Sequence, residues 1–265
     1  MRGGAAGGLP VRRLLTAAAL CAGVLLLAGC AGAAGERAGA DARGQDPAHA
    51  AGPLVRPARL PPVVDRVRTR DPVVFLTYDD GAERDPGFAG LVSERRLPVT
   101  LFLTDRVAGP GYGHLARLRA VGASLQNHTL DHPALRGLPH AGQRAEICGQ
   151  QHKLRSRFGI RPHLFRPPYG TYDRTTLRAA ADCGITAVVL WRASLSADGE
   201  LTYPHGEPRL RPGDIISVPS AETESLTPAE RTVRLLGEIE GRGLRVGRLE
   251  DYLRHEITGR RAAGN

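Results

Sequence analysis

The stretch Val73-Val74-Phe75-Leu76-Thr77-Tyr78-Asp79-Asp80-Gly81 decides how this chain is read. Five mostly apolar, β-favouring residues run into two adjacent carboxylates and a glycine. That is the pattern of a buried strand delivering an acidic pair to the edge of a sheet or barrel. Neighbouring side chains at a strand end meet different surroundings, so the pair can divide its labour. One carboxylate can bind a metal while the other handles a proton. A solvated Asp-Asp-Gly turn closing the strand is the plainer alternative.

The same rhythm continues outward from about Asp71 to Leu253. Apolar runs at Val73–Thr77, Val99–Leu103, Ala123–Gln126, His163–Phe165, Thr186–Trp191, Asp214–Val218 and Leu244–Val246 predict strands. Between most of them the text predicts helices, near Pro86–Arg96, Tyr112–Val121, Ala141–Phe158, Arg174–Cys183 and Pro228–Arg242. Gly122, Gly159, Gly184 and Gly243 each follow a helix, where a left-handed residue ends it. Alternating β and α elements imply parallel strands wrapped by helices. An open doubly wound sheet and a closed barrel both satisfy this pattern. Candidate chemistry at the C-terminal ends of several strands favours the mouth of a barrel. No internal repeat and no second domain is visible; the folded domain is expected over 63–265, with its core at about 71–253.

The first 29 residues read as a secretory signal: Arg2, Arg12 and Arg13 precede an apolar run from Leu14 to Leu27, too short for an ordinary spanning helix. Leu27-Ala28-Gly29-Cys30 resembles a bacterial lipobox, which implies cleavage before Cys30, lipidation of that thiol, and an extracytoplasmic protein anchored to the cell membrane. A plain N-terminal anchor, or cleavage at a nearby alanine without lipid, is the alternative. Residues 30–62 are rich in Ala, Gly, Arg and Pro with few large apolar side chains, and read as a flexible tether.

The formal charge of +9 and pI of about 10.1 would suit an acidic partner. The basic residues are scattered, however, and Lys153 is the one lysine among them, which fits codon bias better than a binding stripe. A nucleic-acid partner is therefore excluded for an exported chain. Cys21 leaves with the signal and Cys30 is the proposed lipid site. Cys148 and Cys183 remain, either a disulfide in an oxidising compartment or two separate thiols.

Strand Ala123–Gln126 leads into Asn127-His128-Thr129-Leu130-Asp131-His132-Pro133. Two histidines four apart can converge on one metal from a short turn or loop. With a carboxylate from Asp79-Asp80 they make a three-ligand set that keeps a position for water, as catalytic zinc does.

These residues carry a resemblance. Thr77-Tyr78-Asp79-Asp80-Gly81, His128-Thr129-x-x-His132-Pro133 and Arg166-Pro167-Pro168-Tyr169-Gly170 stand in the order and at the spacing of the NodB-homology polysaccharide deacetylases, carbohydrate esterase family four. The resemblance covers roughly residues 71–253. It implies an α/β fold, a distorted, incomplete (β/α) barrel, and metal-dependent hydrolysis of acetyl groups, usually N-acetyl on hexosamine polymers such as peptidoglycan or a chitin-like glycan. By the same resemblance Asp79 is the general base, and Asp80, His128 and His132 hold a divalent metal, with zinc expected. Arg166 orients the base, and the backbone N–H of Tyr169 donates to the oxyanion. Pro167, Pro168, Tyr169 and Trp191 are expected along the substrate groove. The protein is expected to be a monomer.

The second half departs from the family pattern. After Val188-Val189-Leu190-Trp191 the text is Arg192-Ala193-Ser194-Leu195-Ser196-Ala197-Asp198, where only Trp191 matches. Ser217-Val218-Pro219 puts proline where the family has its general-acid histidine, and proline has no proton to give. His205, in Tyr203-Pro204-His205-Gly206, is either a substitute acid or an ordinary loop histidine. Two alternatives to an amide deacetylase follow: a catalytically weakened glycan-binding lipoprotein on the same fold, and an O-acetyl ester hydrolase.

Overall fold

In a computed structural model of the chain, residues 59–81, 84–196, 198–219 and 226–254 are described. The signal-like segment, Cys21, Cys30 and the tether to residue 58 lie outside them. In chain order the elements are β1 (Val63–Val64), β2 (Val73–Asp80), α1 (Pro86–Glu94), β3 (Thr100–Leu103), α2 (Asp105–Ala108), α3 (Tyr112–Ala120), β4 (Ser124–Asn127), α4 (His140–Phe158), β5 (Leu164–Phe165), α5 (Arg174–Asp182), β6 (Ala187–Val189), β7 (Ala193–Leu195), β8 (Leu201–Thr202), β9 (Ile215–Val218), α6 (Pro228–Gly241) and β10 (Arg245–Val246). Every expected helix and strand is present, with its ends shifted by a few residues. Two differences matter. Strand β2 carries Asp79 and Asp80 inside it, and β6 stops at Val189, so Trp191 lies beyond the strand.

Local chemistry accounts for the helix boundaries. Asp173 and Thr176 form a capping box at the start of α5, and Thr227 and Glu230 form another on α6, where Pro228 takes the first helical position. Gly122, Gly159, Gly184 and Gly243 all have positive φ, as expected of residues that end helices.

The strands pair in the order β1-β6-β5-β4-β3-β2-β9-β7-β8, with β10 against β2. All of these pairs are parallel except β7 with β8. A flat sheet cannot satisfy this order. Strands β6 and β9 stand five positions apart, about 24 Å at the usual strand spacing. Yet Ala193, four residues beyond Val189, pairs with Ile216 of β9. Four residues reach at most about 14 Å. The sheet therefore curls until its two sides meet, and the bend at 190–192 closes the ring where a lateral ladder is lacking. This is the incomplete barrel. Next to this seam Val67 donates to Gly213 O at 2.8 Å. A Cβ on Gly213 would stand 2.0 Å from Val67 O, so only glycine fits.

The period of two sorts each strand's residues. Val74, Leu76 and Tyr78 face outward in a cluster with Phe88, Leu118 and Leu235 of the surrounding helices. Val73, Phe75, Phe102, Leu164, Val189 and Ile215 form the barrel interior, where Leu249 and Leu253 pack against them. The next inward positions along these strands are Thr77 and Asp79, Arg166, Trp191 and Ser217. The mouth of the barrel is thus a polar layer resting on an apolar one.

Candidate metal centre and active site

Asp79 is nearly buried at the end of β2, and both its oxygens are engaged. Arg166 Nη1 donates to Oδ1 at 2.6 Å, and Ser217 Oγ donates to Oδ2 at 2.7 Å. Arg166 is fully buried, which lowers its pKa from the usual arginine value, while the Asp79 charge and hydrogen bond act against that fall. Its other nitrogens donate to Val189 O and Leu190 O, and its guanidinium carbon lies 4.3 Å from the centre of the Phe102 ring and 5.3 Å from that of Trp191. A buried cation held by this many partners has one orientation, and it transmits that orientation to Asp79.

Asp80 turns away from its neighbour through a positive φ of 68°. Its Oδ1 lies 3.6 Å from His128 Nε2 and 3.4 Å from His132 Nε2, and the two Nε2 atoms are 3.2 Å apart. His128 Nδ1 donates to Arg166 O at 2.7 Å, which fixes the proton on Nδ1 and leaves the Nε2 lone pair facing the other two groups. Burial lowers the His128 pKa, against the pull of Asp79 and Asp80, and so favours the neutral imidazole that a metal requires. Among the described residues these three form the cluster able to hold a metal ion. Their separations suit one. Tetrahedral ligands at about 2.0–2.1 Å from zinc stand about 3.3–3.4 Å from each other. The carboxylate-plus-two-imidazole donor set and the triangle of atoms both fit a divalent metal of that size.

The turn after β5 supplies the wall. Pro167 and Pro168 are buried and shape the turn. Tyr169 adopts a left-handed φ of 59°, the residue is 65% exposed, and its ring meets the His132 ring edge to face at 4.7 Å. A Cβ on Gly170 would stand 3.0 Å from the Trp191 ring, so the indole packs directly on this turn, half-buried.

His205 is placed elsewhere. It lines a separate cavity of about 350 Å³ with Arg66, Tyr203, Glu207 and Asp214, and none of that cavity's lining residues belongs to the metal cluster. That placement favours the loop-histidine reading of His205 over the substitute acid. Pro219 ends β9, and its carbonyl accepts from the buried Arg231 at 3.1 Å. Cys148 and Cys183 are bonded, joining α4 to the end of α5.

Three contributors were missing from the motif reading. Ser217 is the first; its inward parity with Ile215 on a strand beside β2 was the available signal. Asn127 and Glu146 are the others. Asn127 Oδ1 accepts from Thr129 N, and Glu146 Oε2 accepts from both Leu130 N and Asp131 N.

The chain is similar to several known proteins. The family described as polysaccharide deacetylase matches residues 66–188. An uncharacterized protein of Streptomyces coelicolor is 70% identical over 230 residues, covering 87% of this chain and 91% of that one. A chitooligosaccharide deacetylase of Sinorhizobium fredii is 29% identical over 130 residues, which cover 47% of this chain and 60% of the rhizobial protein. Among solved structures, a family 4 carbohydrate esterase from Bacillus anthracis superposes with a TM-score of 0.60 at 20% identity, over 72% of this chain and 87% of that one.

Proposed function

The chain belongs to the polysaccharide deacetylase family, and from that premise we propose that it is a metal-dependent hydrolase removing acetyl groups from a polysaccharide. The carrying observation is the triangle of Asp80, His128 and His132 set beside the clamped Asp79. When bound, a divalent metal supplies Lewis acidity, polarising a carbonyl and lowering the pKa of water; zinc suits the donor set best.

Asp79 takes a proton from the attacking water, while Arg166 and Ser217 keep its carboxylate plane fixed. The Tyr169 N–H receives the developing oxyanion, and the Tyr169 and Trp191 rings border the acetyl group. Cleavage of the C–N bond leaves an amine that needs a proton. Pro219 cannot supply it, so protonated Asp79 is the described group placed to return it. The substrate we favour is an N-acetylhexosamine polymer, a peptidoglycan or chitin-like glycan, met outside the cell by a monomer that Cys30 anchors to the membrane.

The reading is tested by acetate release from N-acetylglucosamine oligomers, peptidoglycan and acetylated xylan, with zinc and after chelation. Zinc-dependent release from the first two supports it. Release from the xylan alone points to an ester hydrolase. A second reading, a glycan-binding protein of weakened activity, is favoured by Pro219 and by the displaced His205; bound zinc and glycan without any acetate release would establish it.

A further inference from the structure

The loop between the two histidines cannot hold itself. Thr129 has φ of 72° and His132 φ of 60°, left-handed conformations that are unusual for any residue but glycine and most of all for a β-branched one. Such a loop persists when its surroundings over-determine it. Inside the loop Thr129 N donates to Asn127 Oδ1 at 2.9 Å and His132 N to Thr129 Oγ1 at 3.1 Å. From outside, one carboxylate oxygen, Glu146 Oε2 on α4, accepts Leu130 N at 3.1 Å and Asp131 N at 3.0 Å. The neighbouring residue on α4 is tied to the same loop, because Asn127 Nδ2 donates to Ile147 O at 2.9 Å.

We propose that Glu146 is a positioning residue for the metal centre: its carboxylate captures the two consecutive amides between His128 and His132 and so holds His132 in a ligand-ready place. The inference rests on the metal reading above. An ionised acceptor shared by two N–H groups makes strong, short-range bonds, and partners one step removed from a metal commonly set its affinity through ligand orientation. Leu130 O also accepts from Thr104 Oγ1 and Arg106 N, but among the described residues Glu146 is the charged group that holds the two amides, and without it the restraint on the approach to His132 is weakened.

The test uses the full chain and three readouts: zinc affinity by competition with a chromophoric chelator, amide hydrogen exchange at Leu130 and Asp131 without metal, and metal-free melting. Glu146→Ala is expected to weaken zinc binding by about ten- to a hundredfold and to expose both amides to exchange, with little change in metal-free melting. Glu146→Gln keeps an acceptor oxygen and is expected to retain most of the affinity; it also carries the test should the alanine variant fail to fold. Unchanged zinc affinity in Glu146→Ala would overturn the assignment. So would equal losses in both variants that track a fall in metal-free melting, since that marks a general structural role. If the unaltered chain binds no zinc, the metal reading fails and takes this one with it; if it binds zinc and only the variants behave as wild type, this one fails alone.

Discussion

On the β2–β5 side of the barrel mouth, each group that carries chemistry is held by a second group. Arg166 and Ser217 share Asp79, the Arg166 carbonyl takes the Nδ1 proton of His128, and Asn127, Thr129 and Glu146 hold the loop that ends in His132. On the β6–β9 side, the corresponding strand ends carry Trp191, packed on Gly170 and Arg166, and Pro219, whose carbonyl accepts from Arg231. The contrast teaches that the acid-base and metal positions form one network, in which changing a member disturbs the rest. Apart from Ser217 of β9, which holds Asp79, and the Val189 and Leu190 carbonyls that hold Arg166, the far side contributes shape, and there it can change one residue at a time.

The largest expected effect comes from breaking the network. Asp80→Ala removes the carboxylate corner of the triangle, leaving two histidines as ligands. Metal content should fall to background, and metal-dependent acetate release should vanish with it. A metal-free Asp80→Ala chain that still released acetate would show that the triangle is not the working site.

Next is a gain on the loosely constrained side. If the two sides are as separable as the contacts indicate, Pro219→His should supply the missing acid without disturbing Asp79. A general acid is worth about 10²–10⁴-fold, and a rise in acetate release of about 10²-fold with zinc affinity unchanged is the expected result. No rise, with zinc still bound, would mean that the departure spreads beyond Pro219 and would favour the glycan-binding reading.

The two sides also differ in how legible they were. Residues from Val73 to Gly170 announce both fold and site, because strands with continuous apolar runs end in residues whose chemistry is rare in such company. Capping residues and glycines mark the helices between them. The seam was opaque. Strands β1, β7 and β8 have two or three residues each, too few to show a period, and barrel closure rests on the pairing of Ala193 with Ile216, which no local pattern encodes. Ser217 was hidden by its ordinariness: a serine in an apolar strand becomes part of the site only when β9 is known to lie beside β2. Glu146 was hidden by distance, since its targets are Leu130 and Asp131, on a loop some fifteen residues earlier.

The disulfide separates global stability from the site. Cys148–Cys183 closes a loop across 35 residues, and a bond of that span stabilises by about 4 kcal/mol. Replacing both cysteines by alanine should lower the melting temperature by roughly 10 °C. Zinc affinity should hold within a few-fold, because the contacts of Asn127 and Glu146 do not involve either sulfur. A parallel collapse of zinc binding would mean that the histidine loop depends on how α4 is braced against α5.

A smaller effect, with a pH signature, is expected at Asp173. Burial pushes its carboxyl up, but hydrogen bonds from Gly137 N, Thr176 N, Thr176 Oγ1 and Gln143 Nε2 outweigh it and bring the pKa down to about 2. A folded pKa below the unfolded one means that the ionised group stabilises the fold. That contribution is fully present above about pH 4, and it is lost as pH falls through about 2. Asn keeps a capping oxygen but not the charge, so Asp173→Asn should cost on the order of 1 kcal/mol at pH 7 and much less near pH 2. Denaturant unfolding at the two pH values measures the difference; equal losses at both would show that the cap acts through shape and not through charge.

The smallest expected effect is none. His205→Ala removes a side chain from a cavity that shares no residue with the metal cluster, so zinc-dependent acetate release should stay within twofold of the unaltered chain. The result is informative because protonated Asp79 is otherwise the group that returns the proton to the leaving amine. A tenfold loss would bring His205 to the reaction during turnover, and the β6–β9 side would then supply chemistry as well as shape. An unchanged rate, set beside the gain expected from Pro219→His, would leave one residue as the difference between the two sides.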